Sequence, residues 1–370
     1  MKKNVLIFSL LNWESKLLHR SHMLAKYFAK KGFEVFYVQK ENVSNIRDLG
    51  FKPKIYKDKN IHIISLLALP YLKGKVKSIY SLNDRIMTAQ LKELFSMVDE
   101  PLIILESPYW IRAIENSRGE KGILCYDISD DFSQFATNDK WKRQVLAYEK
   151  EAIDQSDFIT ITAEQLREKA PDKTNVYLVE NGVDLDEFAD SKNIFGDKYK
   201  KPVCGFIGGL FQWIDFDLIS RLADKYRDYS FVLIGPTDQQ HQIDKLCQNS
   251  NVYYLGEKDK ADIGNYFASL DIGLIPFVSE ERYPRLKTVN SNKIFQYCYF
   301  GYPVISTQFE QVKSLTEVVQ VCKNQEEFIE GLGISLESDT EKMRERRKKY
   351  AYENSWEKRV EDLINIASNR

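Results

Sequence analysis

Asn292-Lys293-Ile294-Phe295-Gln296-Tyr297-Cys298-Tyr299-Phe300-Gly301-Tyr302-Pro303-Val304-Ile305-Ser306-Thr307 reads as a helix that a glycine stops, followed by a short apolar strand. Glycine takes the left-handed conformation that ends a helix, and proline just beyond cannot prolong it. Lys293 and Gln296 stand three apart and so share one helix face. A lysine there suits a diphosphate, and a glutamine suits a ribose hydroxyl. Taken alone, the segment reads equally as an amphipathic helix with a solvated lysine.

The same alternation extends on both sides. Upstream in the second half, strands are expected at residues 203–207, 230–234, 252–255 and 272–275, with helices at 216–226, 240–248 and 263–268. The first half repeats the pattern, with strands at 5–11, 34–39, 62–66, 102–106, 123–126, 158–162 and 176–179, and helices at 19–31, 81–95 and 139–156. Strands alternating with helices imply parallel sheets with crossover connections, hence an α/β protein. Residues 184–202 are polar, contain Gly196 and close on Pro202, and read as the link between two domains. The tail, 341–368, reads as one long charged helix.

Composition agrees with two domains. A chain of 370 residues exceeds one ordinary core, and 43% hydrophobic with 29% charged residues is a globular balance. The formal net charge of -1 provides no global field for nucleic acid, so no nucleic-acid partner is expected. Cys125, Cys204, Cys247, Cys298 and Cys322 form no CxxC pair and no zinc spacing with histidine, so they read as reduced thiols. Two lysines before the apolar run 5–11 imitate a secretion signal, but the run is short and lacks a small-residue cleavage site. No apolar stretch is long enough to span a bilayer.

Three further motifs bear on chemistry. Gly205-Phe206-Ile207-Gly208-Gly209-Leu210 follows a strand and precedes a helix, where backbone N–H groups approach phosphate closely; a tight turn is the plainer reading. Asn181-Gly182-Val183-Asp184 is a turn signal where the first half hands over to the second. Asp271-Ile272-Gly273-Leu274-Ile275-Pro276-Phe277 places Pro276 and Phe277 at a strand's carboxyl end, where open α/β sheets bind ligands.

In this order, residues 180–184, 251–256, 271–277 and 292–307 resemble the GT-B glycosyltransferases of bacterial surface-polysaccharide synthesis. Lys293 followed by Gln296 is similar to the xanthan glucuronosyltransferase and teichuronic-acid glycosyltransferase group. The resemblance implies a GT-B fold, two Rossmann-like domains facing across a cleft. The acceptor domain would be 1–188 and the nucleotide-sugar domain 202–351, with a last helix at about 352–370 crossing back to the first. It further implies a UDP-sugar donor and a lipid-linked or oligosaccharide acceptor. Lys293 would contact the phosphates and Gln296 the nucleoside, with Gly208, Gly209, Asn292, Pro276 and Phe277 around them. A glutamate seven residues before Gln296, expected of retaining members, would fall at Val289, so inversion is expected.

An inverting transferase needs a general base. The resemblance places it in Tyr126-Asp127-Ile128-Ser129-Asp130-Asp131-Phe132, with Asp130 first and Asp127 second; crowded carboxylates raise one another's pKa. The alternative is an acidic cap on the next helix. His22, with His19, is the rival base, since it follows the first strand. The cluster imitates a DxD metal motif, yet GT-B enzymes usually work without metal, so neither metal nor cofactor is expected. Trp13, Tyr109 and Trp110 are candidates to stack on sugar rings, and Arg20 to hold an acceptor phosphate. The resemblance implies a cytoplasmic protein, peripheral on the inner face of the plasma membrane; residues 69–80 mix lysines with apolar residues, which suits an anionic membrane surface, although a solvated loop is the plainer reading. Arg282, Arg285 and Lys287 would suit a glucuronate carboxylate. A nucleotide-sugar 2-epimerase and a non-catalytic GT-B partner subunit share the fold and are the competing readings.

Overall fold

The computed structural model describes residues 3–9, 11–15, 19–42, 54–58, 60–69 and 77–370. The chain divides into two compact units: Met1–Glu180 with Arg359–Arg370, and Asn181–Lys358.

Unit 1 is built on one sheet. Its strands are β1 (Asn4–Phe8), β2 (Glu34–Asn42), β3 (Lys54–Asp58), β4 (Ile61–Ala68), β5 (Leu102–Leu105), β6 (Ile123–Ile128), β7 (Phe158–Ile161) and β8 (Val176–Leu178). They lie in the order β3-β4-β2-β1-β5-β6-β7-β8, all parallel except β3, which runs antiparallel on β4. Helices α1 (Arg20–Lys30), α2 (Lys77–Ser96), α3 (Ile111–Arg118) and α4 (Asp139–Gln155) make crossovers. Val5, Leu6, Ile7 and Phe8 are wholly buried, as a strand covered on both faces requires. Leu24, Tyr27 and Phe28 seat α1 on the core, and Gly32, at φ 85°, turns the chain into β2.

Unit 2 repeats the plan. Strands β9 (Val203–Ile207), β10 (Ser230–Ile234), β11 (Val252–Tyr254), β12 (Ile272–Ile275), β13 (Val304–Thr307) and β14 (Gln320–Cys322) lie in the order β11-β10-β9-β12-β13-β14, each pair parallel. Around them run α5 (Leu185–Phe188), α6 (Phe216–Lys225), α7 (Gln240–Leu246), α8 (Ile263–Phe267), α9 (Asn292–Phe300), α10 (Gln325–Glu337) and α11 (Glu341–Glu353). The final helix is α12 (Trp356–Ser368). In each sheet the winding reverses once, between β1 and β5 and between β9 and β12. The carboxyl ends of strands at such a reversal are where doubly wound sheets hold ligands.

Several expectations change. The stretch 184–202 is not a free linker. Asp184 caps α5, and Phe195 and Tyr199 pack together at 4.8 Å within the core of unit 2. Unit 2 therefore begins at Asn181 rather than at 202. The long tail helix breaks at Asn354 and Ser355 into α11 and α12, and the chain rejoins unit 1 at Arg359. There Lys31 pairs with Glu361 at 2.7 Å, and Arg370 donates to the Tyr177 hydroxyl. Strands β3 and β14 and helices α3 and α10 were not expected. Four cysteines are buried, and Cys247 is exposed. Among the described residues no helix is long and apolar enough to cross a membrane. Residues 70–76 of the lysine-rich stretch lie outside the described residues.

Candidate functional site

In unit 2 two glycine turns meet at the carboxyl end of the sheet. Gly208 follows β9 at φ 149°, and Gly235 follows β10 at φ 137°. The Gly208 N–H donates to Ile234 O at 2.8 Å, and a β-carbon on Gly235 would lie 2.1 Å from the Gly208 carbonyl oxygen. Only glycine allows both the conformations and the approach. The first turn of α9 brings Lys293 over this floor. Its ammonium lies above the Phe206 ring, 5.2 Å from the centroid, and occupies the hollow that the missing Gly208 side chain leaves. Burial lowers the Lys293 pKa to about 8. Among the described residues no carboxylate or other hydrogen-bonding group pairs with it. A desolvated ammonium beside open backbone is costly unless an anion offsets it.

Gln296 lies one turn along α9, half-buried, with no protein partner for its amide among the described residues. Asn292, at the start of α9, is exposed. Asn181 holds the entry to this helix: its N–H donates to Asn290 Oδ1 at 2.9 Å and its amide to Asn290 O at 3.0 Å. A β-carbon on the neighbouring Gly182 would lie 2.8 Å from the Trp356 nitrogen. The turn motif is thus a brace for α9. Pro276 and Phe277 are braces too. Pro276 O accepts from the Asp215 N–H, and Phe277 exchanges hydrogen bonds with the Thr307 hydroxyl while its ring is buried on Phe309.

Unit 1 gathers polar groups at its own carboxyl edge. Arg20, at the start of α1, forks onto Asp127 of β6 at 2.7 and 3.0 Å and donates to Glu180 O at 3.0 Å. Thr160 of β7 also donates to Asp127, at 2.7 Å. Asp127 is wholly buried and charge-paired. Asp130 stands two residues beyond the end of β6 and is exposed. Asp131 caps the short turn Phe132–Phe135 and meets Lys169 at 2.7 Å. Burial pushes Asp131 up, but Lys169, Ser133 and Gln134 outweigh it and hold its pKa at about 2. Mutual repulsion therefore does not raise Asp131; its own cation governs it.

His22 is buried, with Nδ1 accepting from the His19 N–H and Nε2 facing Asn12 O at 3.1 Å. The Trp13 ring lies tilted against His22 at 5.5 Å and edge-on to Tyr37 at 5.1 Å. The Tyr109 hydroxyl accepts from Trp141 Nε1 at 2.5 Å. Arg20, His22 and Trp13 are thus brought to one edge, Arg20 committed to Asp127 and His22 engaged through both ring nitrogens. Sequence reasoning passed over Glu106, which follows β5. It is wholly inside; burial raises its pKa, the Ser9 and Ser21 hydroxyls pull it partly back, and the Asp127 charge adds to the rise. The only sequence signal was an acid at the end of an apolar strand. It gave no role to Glu280 or Gln311 in unit 2, whose Oε1 and Nε2 are buried without a hydrogen-bond partner among the described residues.

Residues 201–337 match the family model described as "Glycosyl transferases group 1". A curated relative, the putative teichuronic acid biosynthesis glycosyltransferase TuaH of Bacillus subtilis (strain 168), is 27% identical over 188 residues, covering 48% of this chain. The chain spans about half the length of that relative, 47%. Among solved structures, sucrose-phosphate synthase from Thermosynechococcus elongatus superposes with a TM-score of 0.71 at 13% identity, covering 100% of this chain and 99% of that one. The HepE protein of Anabaena, in complex with UDP and glucose, gives 0.69 at 13% identity, covering 100% of both. An E. coli trehalose-6-phosphate structure bound with UDP-2-fluoro glucose gives 0.71 at 13%, covering 99% of both. At these identities the structures speak for the fold. Residues 201–337 are therefore similar to the glycosyl transferases group 1 family, and the chain as a whole has the GT-B fold.

Proposed function

We propose that this chain is an inverting glycosyltransferase that takes a sugar from a UDP-sugar. The observation that carries the reading is Lys293, an ammonium held over the Gly208 hollow with no carboxylate partner among the described residues. A nucleoside diphosphate supplies the missing charge. Its phosphates lie against Lys293 and the backbone of Gly208 and Gly209, and Gln296 meets the ribose. Asp130 takes the proton from the acceptor hydroxyl. The acceptor oxygen bonds to the anomeric carbon, the bond from that carbon to the phosphate oxygen breaks, and UDP leaves with the electron pair. Lys293 offsets the charge that develops on the leaving phosphate, so the chemistry asks for no metal. The Arg20–Asp127 pair positions the end of β6 and is not the base, since a buried carboxylate already accepting three hydrogen bonds has no access to an acceptor.

Similarity to TuaH and to HepE in complex with UDP and glucose is in keeping with this reading. It also favours a lipid-linked or oligosaccharide acceptor in surface-polysaccharide synthesis, met at the cytoplasmic face of the membrane. A thermal-shift screen against UDP, GDP, ADP, CMP and their common sugars tests the proposal, because a ligand that binds only the folded state raises the midpoint. A UDP-specific rise that Lys293→Ala abolishes is the expected result. No rise with any nucleotide would refute it.

A further inference from the structure

In the loop between β12 and α9, Glu281 is exposed and Glu280 is partly buried. Arg282 and Lys287 are exposed, and Arg285 reaches back to the Tyr283 hydroxyl. Glu280 buries Oε1 with no donor to accept from among the described residues. Lys313 lies within electrostatic reach of Glu280, but its ammonium is spent on Glu310.

A second orphan lies on the neighbouring segment. Gln311 sits in the short 3-10 helix Glu310–Ser314, which packs against the helical turn Pro284–Thr288 of the same loop. Its Oε1 accepts from the Ser291 N–H at 2.6 Å, which fixes the side chain at the N-terminus of α9. Its Nε2 is buried and donates to no group among the described residues. Gln311 thus sets one unused donor at the entrance to α9, and Glu280 sets one unused acceptor in the loop that leads there. Buried polar atoms left unpaired are costly, and such atoms at a ligand site mark what the ligand supplies.

We propose that Glu280 and Gln311 read the sugar of the donor, Glu280 accepting from a sugar hydroxyl and Gln311 donating to a sugar oxygen, and that the site selects a neutral hexose over a hexuronate. This rests on the donor-site reading above. Glu280 accepts from a hydroxyl but repels a second carboxylate, and Lys313, the cation within its reach, is spent on Glu310. A site built to bond a hydroxyl discriminates strongly against a ligand that cannot make the bond.

Calorimetric titration of the full-length chain with UDP, UDP-glucose, UDP-galactose and UDP-glucuronate tests this, in the wild type and in two variants. Glu280→Gln keeps the shape; Gln311→Glu keeps the acceptor for Ser291 and removes the donor. The wild type binds at least one neutral sugar nucleotide about tenfold or more above UDP-glucuronate. Glu280→Gln narrows that ratio to about threefold, and Gln311→Glu removes the gain of the neutral sugar nucleotide over UDP, while UDP itself binds both variants within about threefold of wild type. UDP-glucuronate binding as well as the neutral donors, or ratios unchanged in both variants, overturns the inference while UDP binding stands. Failure of the wild type to bind UDP overturns the donor site itself.

Discussion

Lys293 lies in the space that a side chain on Gly208 would take: a β-carbon built there falls 2.4 Å from Lys293 Cε and 2.5 Å from Nζ. Two residues far apart in the chain thus share one space, which the proposed function makes the diphosphate site. Gly208→Ala should displace the ammonium and strain a backbone held at φ 149°. UDP affinity should fall about tenfold or more, and adding Lys293→Ala should cost little further, because both changes remove one interaction. A double-mutant cycle by calorimetry checks this; additive losses would show that the two act apart.

The same lysine should cost the free protein stability. Its pKa is lowered to about 8 in the folded chain against 10.5 ordinarily, so between these values the unfolded chain binds more protons and stability rises with pH. Below pH 8 the full cost is present. Lys293→Met should therefore stabilise the ligand-free protein at pH 7 by ~1–2 kcal/mol, with the gain vanishing as pH passes 10. Urea unfolding at the two pH values measures it.

The Arg20–Asp127 pair carries structure instead. Removing one partner of a buried pair leaves an uncompensated charge, so Asp127→Ala should cost about 3–5 kcal/mol. Arg20→Met with Asp127→Leu should recover part of that loss, because neither charge remains. Equal stability of Asp127→Ala and wild type would contradict the assignment.

Neighbouring acids should separate by readout. Asp130→Asn should lower kcat about 10²–10⁴-fold and leave UDP affinity unchanged, as loss of a general base does. Asp131→Asn should act on stability. Its pKa is lowered to about 2, so its contribution is present above the ordinary value of 3.8 and lost as pH falls through 2. At pH 7 the loss should be ~1–2 kcal/mol, shrinking in acid. Initial rates with radiolabelled donor and urea curves at pH 7 and pH 3 separate the two effects.

What sequence could disclose follows from how local each feature is. Strand β9, its glycine turn and helix α9 are written in adjacent residues, and their bounds match the reading, down to Gly301 at φ 78°. Strand β3, KIYKD, is an exposed edge whose charges mask it. Helix α10 holds Gly331 and Gly333, which weaken any helical pattern, although Gly331 packs against Ile305 and Cys322. Phe195 and Tyr199 hide among polar neighbours that look like linker. At the site, Lys293 was legible because its helix signature is local. The pairing of Arg20 with Asp127 spans 107 residues and depends on where the sheet order sets α1 and β6. The unpaired state of Glu280 and Gln311 is a property of surroundings that no local pattern records.

The most direct test of the anion site is a titration of UDP, UMP and uridine into the wild type and Lys293→Ala at pH 7. The account predicts UDP well above UMP and UMP above uridine, with the step from UMP to UDP collapsing in the variant. Equal binding of UDP to both proteins, or no preference for UDP over UMP, would contradict a diphosphate held by Lys293.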